Sequence, residues 1–325
     1  MLKKSDYSTF IDTVNEITTT GRKRGIGHLY TNDEQYNGRE INIPGRPTSL
    51  VHFGSCSYLG LELDERLKAA SIDSVQRFGA QFSCSRTYLS CTPYKELENK
   101  LEKIFRAPVL LNVNSTAAHQ SVIPIIMQSG DAVIFDQQAH ISMQELKYKL
   151  MFNGVHVDFL RHSRVDELKA KIETLSTKHN KIWYCLDGVY SMFGDLAPIH
   201  ELMELLRENE KLHLYIDDAH SMSIFGEHGK GYILSQVEQH ERMVLAVSLA
   251  KGFGSAGGVT VFKNEEMYWR VKSWGGCLTY SGPQQPAVIA ASIASADIHL
   301  SEEITTMQQE LQMKVKYCNR LIKDY

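Results

Sequence analysis

The amino-acid sequence predicts an α/β fold in which helices cover both faces of a mostly parallel β-sheet. Two observations predict this fold. The central part of the chain contains short apolar runs rich in Val, Ile, Leu and aromatic residues, which is typical of buried strands. Between most of these runs lie amphipathic stretches whose apolar residues recur every three or four positions, which is helical spacing. Strands and helices that alternate in this way form parallel sheets covered by helices.

Each element can be placed in chain order. The predicted strands are "PVLLNV" (108–113), "DAVIFD" (131–136), "VHVDFL" (155–160), "KIWYCLD" (181–187), "LHLYID" (212–217), "MVLAVS" (243–248) and "GVTVF" (258–262). The clearest predicted helices are "TPYKELENKLEKIF" (92–105), "RVDELKAKIETLSTKH" (164–179) and "PIHELMELLREN" (198–209). Sheets of this kind bind ligands at the carboxyl ends of their strands. Polar residues that follow the strands are therefore the candidates for function.

Composition and charge restrict the classes of function. With 325 residues, of which 43% are hydrophobic, the chain can bury a large core. Its net charge is −3 and no long basic run stands out, which argues against nucleic acid as a partner. There is no run of about 18 apolar residues and no signal peptide at the start, so we expect no membrane span. The six cysteines form no C-x-x-C pair, so we expect a cytoplasmic protein without a metal site.

The first candidate ligand contacts follow strand 108–113. Asn114, Ser115 and Thr116 begin a predicted helix of small residues. The free backbone amides at such a helix start attract phosphate groups. An ordinary N-cap by Asn114 or Ser115 also explains these residues, and taken alone it is the favoured interpretation.

Three further predicted strands also end in polar residues. His140 and Ser191 each follow a strand, where a histidine or serine is usually a cap or part of a turn. Asp217 ends another strand and His220 comes three residues later. An aspartate there can hold magnesium in a phosphate-cleaving enzyme. That function requires a G-x-x-x-x-G-K-[ST] loop, and the sequence has none.

The stretch "SLAKGFGSAGG" (248–258) places Lys251 among glycines, alanines and serines after an apolar strand. A surface lysine has no need of this setting. We expect the glycines to let the backbone approach a flat ligand closely. Pyridoxal 5'-phosphate (PLP) requires the whole set of residues at the strand ends. Its aldehyde needs a lysine amine, its pyridine nitrogen a carboxylate, its phosphate amides and hydroxyls, and its ring a flat stacking partner.

From "SYLGL" (57–61) to "YSGPQQP" (280–286), five motifs occur in the order and spacing of a known family. The sequence resembles the α-oxoamine synthases, which are PLP-dependent enzymes of fold type I. The resemblance implies that fold, with PLP as the cofactor and an active site shared between the two subunits of a homodimer.

The resemblance also implies a role for each candidate residue. Lys251 is similar to the Schiff-base lysine, Asp217 to the partner of the pyridine nitrogen, and His140 to the histidine that stacks on the ring. These three are the predicted catalytic residues. The other predicted cofactor contacts are Ser115 and Thr116 at the phosphate, Ser191 and His220 at the phenolic oxygen, Ser248 at the phosphate in place of a threonine, and Ser281 at the phosphate from the second subunit.

The reaction implied by the resemblance condenses a small amino acid with an acyl thioester, on CoA or on an acyl-carrier protein, with loss of carbon dioxide. Two alternatives stay open: another fold type I activity such as an aminotransferase, or a catalytically silent partner subunit. Two departures from the family pattern bear on substrate recognition. Cys56 stands where an asparagine is common, and the stretch that contains Arg86 is bulkier than usual.

We expect three regions along the chain. Residues 1–60 are predicted to form an N-terminal arm with one helix, and residues 61–300 the large PLP-binding α/β domain. Residues 301–325 are predicted to be the start of a small C-terminal domain. The resemblance implies a longer C-terminal domain that carries an arginine for the substrate carboxylate. Because the sequence ends at Tyr325, inside the helix that should lead into that domain, we expect the domain to be truncated here.

Overall fold

The computed structural model describes residues 4–32 and 36–323, and its contacts divide the chain after Ser55 into two units. The first unit contains helix α1 (Lys4–Lys23) and strands β1 (Glu40–Ile41) and β2 (Leu50–Val51), which pair antiparallel. One helix was predicted for this part of the chain. The expected domain boundaries at residues 60 and 300 stay predictions, and residues 324 and 325 lie outside the described part.

The second unit is built on a seven-stranded sheet. Its strands are β3 (Val109–Asn112), β4 (Ala132–Asp136), β5 (His156–Leu160), β6 (Ile182–Asp187), β7 (Leu212–Asp217), β8 (Met243–Ser248) and β9 (Gly258–Phe262). Its helices are α2 (Glu65–Phe78), α3 (Thr92–Phe105), α4 (Ser115–Ile126), α5 (Ile141–Gln144), α6 (Lys147–Phe152), α7 (Val165–Ser176), α8 (Ile199–Glu208), α9 (Tyr232–Gln236), α10 (Glu265–Trp274), α11 (Gly276–Thr279), α12 (Pro286–His299) and α13 (Glu303–Lys323). Short 3-10 turns occur at Leu61–Leu63 and Glu227–Gly229.

The strand order is β3-β9-β8-β7-β6-β4-β5. Strands β4 to β8 pair parallel with one another, and β9 runs antiparallel to both of its neighbours. The predicted α/β class with a mostly parallel sheet is therefore confirmed. All seven predicted strands are present, each within one residue of its expected bounds.

The apolar side chains of the strands build a core on each face of the sheet. On β6, Tyr184 and Leu186 belong to the core on one face, and Trp183 and Cys185 belong to the core on the other. Successive strand residues point to opposite faces, so a strand buried on both faces needs a continuous apolar run. This explains why the strands were recognisable from composition. It also leaves the strand ends as the places where polar groups can collect.

Arg86, which departs from the family pattern, is held in the protein interior. Its guanidinium forms an ion pair with Glu98 at 2.6 Å, with side chains only 10% and 11% exposed. It also donates to the backbone oxygen of Leu111 and lies 4.2 Å from the centre of the Tyr94 ring. Because Leu111 lies on β3 and Glu98 on α3, Arg86 joins the segment before α3 to the sheet.

We expect Arg86→Ala to lower the free energy of unfolding by about 3–5 kcal/mol, because it leaves the Glu98 carboxylate buried without its partner. Urea unfolding followed by circular dichroism measures the change. Arg77→Ala is the matched control, since Arg77 pairs with Asp73 at 3.2 Å on the surface, with side chains 65% and 60% exposed. Exposed pairs contribute about 0–1 kcal/mol. Equal losses in the two variants would contradict a structural role for the Arg86 pair.

The last helix in the described part of the chain, α13, is long and mostly polar. Its first turn is fixed by Ile304, which is buried, and by Glu303, which pairs with Arg66 at 2.7 Å. Among the helices that the structure describes, none combines the length and the apolar character required to cross a membrane.

Candidate active site

The register of the sheet brings the predicted polar residues to one edge. Asp187 at the end of β6 lies directly beside Asp217 at the end of β7. Ser248 at the end of β8 lies beside Gly258 at the start of β9, and Gly258 in turn pairs with Asn112 at the end of β3. The carboxyl ends of β3, β6, β7 and β8 therefore meet at this edge, as expected for a ligand site of a parallel sheet.

Lys251 lies on a closed loop between β8 and β9. The loop is held at its base, where Leu249 N–H donates to the Gly257 oxygen at 2.9 Å and Ser255 N–H donates to the Leu249 oxygen at 3.0 Å. Burial lowers the pKa of the Lys251 amine and outweighs the negative charge of Asp217, which raises it. An amine whose pKa is lowered has a larger neutral fraction, which is the form that acts as nucleophile and base.

At one position of this loop, glycine is required for a reason other than the expected close approach to a ligand. Gly254 adopts φ +74°, and a Cβ on it would lie 2.5 Å from the Cβ of Leu61. The loop thus packs against the 3-10 turn at Leu61–Leu63, and only glycine fits both the backbone angle and the space.

Asp217 is buried and ionised. Its Oδ2 lies 3.0 Å from Nε2 of His119, and its Oδ1 accepts from the backbone N–H of Ala219 at 3.1 Å. The other ring nitrogen of His119 lies 2.9 Å from the hydroxyl of Tyr215. Burial alone would raise the pKa of Asp217, but His119 and Lys251 outweigh it and lower the pKa to about 2. A fixed negative charge therefore stands near the Lys251 amine.

Asp187 is a second buried carboxyl group beside Asp217. Its Oδ1 accepts from the backbone N–H of His140 at 2.9 Å. Burial, followed by the charge of Asp217, raises the pKa of Asp187 to about 8. Two adjacent carboxyl groups whose environments push their pKa values apart can divide the roles of anion and proton carrier. Here Asp217 is the anion and Asp187 carries a proton at neutral pH.

His140 and His220 are both neutral imidazoles near Lys251. His140 precedes α5, where its Nδ1 lies 2.7 Å from the hydroxyl of Ser142, and burial lowers its pKa. Nδ1 of His220 lies 2.8 Å from the hydroxyl of Tyr58. Burial lowers the pKa of His220 to about 4 and raises that of Tyr58 to about 12. In the tautomer whose Nδ1 accepts from the neighbouring hydroxyl, the single N–H of each ring is on Nε2, where it can donate to a ligand oxygen.

The predicted phosphate contacts lie around the start of α4. Asn114 caps the helix by accepting from Ala117 N–H at 2.7 Å, which leaves the amides of Ser115 and Thr116 outside this cap bond. A Cβ on Gly258 would lie 2.6 Å from the backbone nitrogen of Ser115, so the helix start sits directly against β9. Through Gly258 the helix start is adjacent to Ser248. Backbone amides at a helix start beside a serine hydroxyl form a suitable phosphate cradle.

Ser191 and Ser281 have weaker structural links to the other candidate site residues. Ser191 is exposed on the turn between Tyr190 and Asp195, whose backbone groups are bonded at 3.0 Å. The hydroxyl of Ser281 donates to the Cys277 oxygen at 2.6 Å. In the described part of the chain, neither hydroxyl bonds to Lys251 or Asp217. Their predicted contacts with the cofactor stay predictions, as do those of the other site residues.

The residues present fit PLP. The chain supplies the partners that the aldehyde, ring nitrogen, ring face and phosphate of PLP require. They are a partly buried lysine with a lowered pKa, an ionised aspartate that acts on that pKa, two neutral imidazoles, and a helix start with serine hydroxyls. A metal site receives no comparable support, since residues 4–32 and 36–323 contain no group of three or more His, Cys, Asp or Glu side chains placed to bind an ion.

Three residues of the site were missed by the sequence interpretation. Asp187 ends a predicted strand, so its position was a usable signal. Tyr58 lies inside the motif "SYLGL" and its distance to His220 could not be read from the chain. His119 lies inside a helix with no local signal, because its partners Tyr215 and Asp217 are on another element.

We expect His119→Phe to lower the free energy of unfolding by about 1–3 kcal/mol, because it removes a partner from Tyr215 and from Asp217 in the buried interior. Denaturant unfolding of the His119→Phe, Tyr215→Phe and double variants forms a double-mutant cycle. A coupling near zero between the two substitutions would contradict a hydrogen bond between the two side chains.

Comparison with known proteins places the chain among characterised sequences. The family model described as aminotransferase class I and II matches residues 48–324. The 8-amino-7-oxononanoate synthase of Thermoanaerobacter pseudethanolicus is 28% identical over 316 residues, which cover 96% of this chain and 78% of that protein. The serine palmitoyltransferase of Sphingobacterium spiritivorum is 27% identical over 312 residues, which cover 92% of this chain and 73% of that protein.

Solved structures share the fold. The serine palmitoyltransferase of Sphingomonas wittichii superposes with a TM-score of 0.78 at 22% identity, covering 92% of this chain and 73% of that one. A structure of SPT with PLP gives a TM-score of 0.81 at 22% identity, covering 94% of this chain and 75% of that one. The 8-amino-7-oxononanoate synthase of Francisella tularensis gives 0.68 at 18% identity, covering 84% and 75%.

Proposed function

Because the chain belongs to the aminotransferase class I and II family, and within it to the PLP-dependent α-oxoamine synthases, we propose that it condenses a small amino acid with an acyl thioester. In this reaction the Cα of the amino acid bonds to the acyl carbon, the carbon–sulfur bond breaks, and the carboxylate leaves as carbon dioxide. The products are an α-amino ketone, carbon dioxide and a free thiol.

One observation carries the proposal: the partly buried Lys251 amine and the ionised Asp217 carboxylate act on each other's pKa at the carboxyl edge of the sheet. Bound at this edge, PLP supplies an aldehyde that captures amines and a protonated ring that withdraws electrons. Lys251 would hold the aldehyde and Asp217 the ring nitrogen. Ser115, Thr116 and Ser248 would hold the phosphate.

The residues of the chain then have separate tasks. Lys251 Nζ, whose lowered pKa enlarges its neutral fraction, accepts the proton that leaves Cα of the amino acid. Asp217 keeps its negative charge because His119 lowers its pKa, so it can hold a proton on an adjacent nitrogen. His140 provides a flat ring, and Asp187 fixes the position of its backbone. His220 offers one imidazole N–H for an oxygen of the ligand.

The active site is proposed to be completed by a second copy of the chain. Ser281 would reach the phosphate of that second copy, as the family resemblance implies. The proposal is supported by large apolar side chains that lie on the surface of one copy, among them Phe152, Met192, Phe193, Trp274 and Tyr280.

Because all six cysteines are free, we also propose a reducing compartment, the cytoplasm.

The substrates of the proposed reaction are identified by a direct assay. The purified chain, loaded with PLP, is incubated with glycine, alanine or serine and with an acyl-CoA or acyl-carrier-protein thioester. Release of thiol and carbon dioxide in equal amounts, together with an amino ketone detected by mass spectrometry, is the expected result. Amino-group transfer to a keto acid without thiol release would instead indicate an aminotransferase. Neither reaction in PLP-loaded protein would favour the silent-subunit alternative.

A further inference from the structure

A polar cluster outside the proposed cofactor contacts is centred on His162. This residue follows β5 and lies between two carboxylates. Its Nδ1 is 3.0 Å from Oδ1 of Asp136 at the end of β4. Its Nε2 is 2.7 Å from Oδ2 of Asp195, which closes the turn after β6. The imidazole therefore spans the gap between the sheet and that turn.

Counting donors and acceptors fixes the charge that this arrangement requires. Carboxylate oxygens accept, so both ring nitrogens of His162 must donate. Asp136 is already an acceptor for the Tyr184 hydroxyl at 2.9 Å, for Ser163 N–H at 2.9 Å and for Gln138 N–H at 2.8 Å. A neutral imidazole has a single N–H and can make only one of the two bonds. Both bonds exist together when the ring is an imidazolium.

We infer that His162 is a positioning residue, which as an imidazolium joins Asp136 of the sheet to Asp195 and so holds the turn Tyr190–Asp195. This turn carries Ser191. The part of the inference that links the bridge to the cofactor contact of Ser191 rests on the proposed function. The turn directly continues β6, whose last residue Asp187 lies beside Asp217. The position of the turn is therefore linked to the edge of the sheet at which the ligand would bind.

Loss of the ring proton releases the turn rather than the sheet. Asp136 is fully buried and keeps its three other donors. The side chain of Asp195 is 41% exposed, and its Oδ1 has no hydrogen-bond partner in the described part of the chain. The Asp195 end of the bridge is thus the weaker one. Without it, the turn keeps the backbone bonds of Tyr190 N–H to the Asp195 oxygen and of Gly194 N–H to the Tyr190 oxygen.

The surroundings of His162 favour its charged form. The groups that face it are Asp136 at the end of β4, Tyr184 of β6, Tyr190 with its ring centre 4.4 Å away, Asp195 of the turn, and Ser163 with its hydroxyl 3.5 Å from Nε2. The flanking Arg161 and Arg164 pair with Glu167 and Asp166. Burial lowers the pKa of His162, but the two carboxylates outweigh it and the net shift is upward. Because the pKa of His162 is raised on folding, the bridge stabilises the native state at low pH. This stabilisation is complete below the pKa of an unfolded histidine, about 6.5, and is lost as the pH rises through the pKa of His162 in the folded chain.

Hydrogen exchange across pH tests the inference. Exchange of the amides of residues 189–196 is measured by mass spectrometry between pH 5.5 and 9, corrected for the intrinsic pH dependence, on the chain with and without PLP. We expect protection of the Tyr190 and Gly194 amides to fall by about 10-fold as His162 loses its proton, since one charge-assisted hydrogen bond is lost. Peptides from α8 serve as the internal reference and should not change.

Two variants separate the bridge from a general effect of pH. In Asp195→Asn the new amide accepts from the charged ring and donates to the neutral one, so the bond survives at both ends of the range. Protection of the turn should then be independent of pH. In His162→Gln the side chain has one donor nitrogen instead of two, so it cannot bridge the two carboxylates. Protection of the turn should then be low at every pH. Identical pH profiles in the wild-type chain and Asp195→Asn would overturn the inference.

The exchange measurement does not depend on the proposed reaction. If no acyl transfer is found but the turn loses protection with pH in the wild-type chain and not in Asp195→Asn, the bridge stands and the proposed function fails. If acyl transfer is found and the exchange of the turn is unaffected by pH or by the His162→Gln substitution, the proposed function stands and the bridge is wrong.

Discussion

Lys251→Ala is expected to abolish both acyl transfer and the visible absorbance of bound PLP. The substitution removes the only group proposed to hold the aldehyde and the base proposed to accept the Cα proton. General base catalysis alone contributes about 10²–10⁴-fold, and covalent capture of the substrate adds to it. We therefore expect kcat/KM to fall by at least about 10³-fold. A spectrophotometric titration with PLP and the thiol-release assay measure the two effects.

Lys263→Ala is the matched control for this substitution. Lys263 is exposed and follows β9 at the edge of the sheet opposite to Gly258. Its removal should change neither absorbance nor rate. Retention of the absorbance band in Lys251→Ala would show that another amine holds the cofactor, and with it the proposed site would be refuted.

Asp217→Asn should have the second largest effect. The amide is nearly the same size and can still accept from Ala219 N–H, but it carries no charge. The negative charge that would keep the ring nitrogen protonated is lost, and the electron-withdrawing power of the cofactor is lost with it. We expect kcat to fall by about 10²–10³-fold, the loss found when one preorganised stabilising group is removed from a site. Initial rates at saturating substrate measure kcat, and PLP titration measures affinity.

The neighbouring Asp218 provides a control for loss of a buried carboxyl group as such. Its Oδ2 accepts from Ile233 N–H at 3.0 Å, and burial raises its pKa to about 7. A large fraction of this group is thus already uncharged at neutral pH. Asp218→Asn should leave kcat within a few-fold of the wild-type value. Equal losses for Asp217→Asn and Asp218→Asn would indicate damage to the fold and would contradict a specific role for Asp217.

The sheet could be predicted from the sequence because each strand is marked by a local run of apolar residues. Most of these strands are continuous apolar runs buried on both faces, and composition located each of the seven within one residue. The edge strand β5, which contains His156 and Asp158, is only partly buried. The parallel arrangement followed from the alternation with helices. The antiparallel direction of β9 had no such signal, because the short loop that carries Lys251 replaces a crossover helix.

The candidate site could be predicted only in part, because many of its contacts are not local in the sequence. Lys251, Asp217 and His140 occur in motifs at strand ends, and the family resemblance supplied their expected roles. His119 touches Asp217 across 98 positions of sequence, and nothing near His119 marks that contact. The pairing of His162 with Asp136 and Asp195 is equally non-local. Side-chain networks between elements depend on the packed structure, which a single sequence does not display.

The wide separation of Ser115, His140, Asp217 and Lys251 along the chain links cofactor affinity to conformational stability. An unfolded polypeptide cannot present these proposed contacts together, so PLP should bind the native state far more tightly than the unfolded one. At a free concentration 100 times its dissociation constant, such a ligand adds about 2.7 kcal/mol to native stability. The melting temperature of this protein should accordingly rise with the supply of vitamin B6, and starvation for the vitamin should lower native stability and activity together.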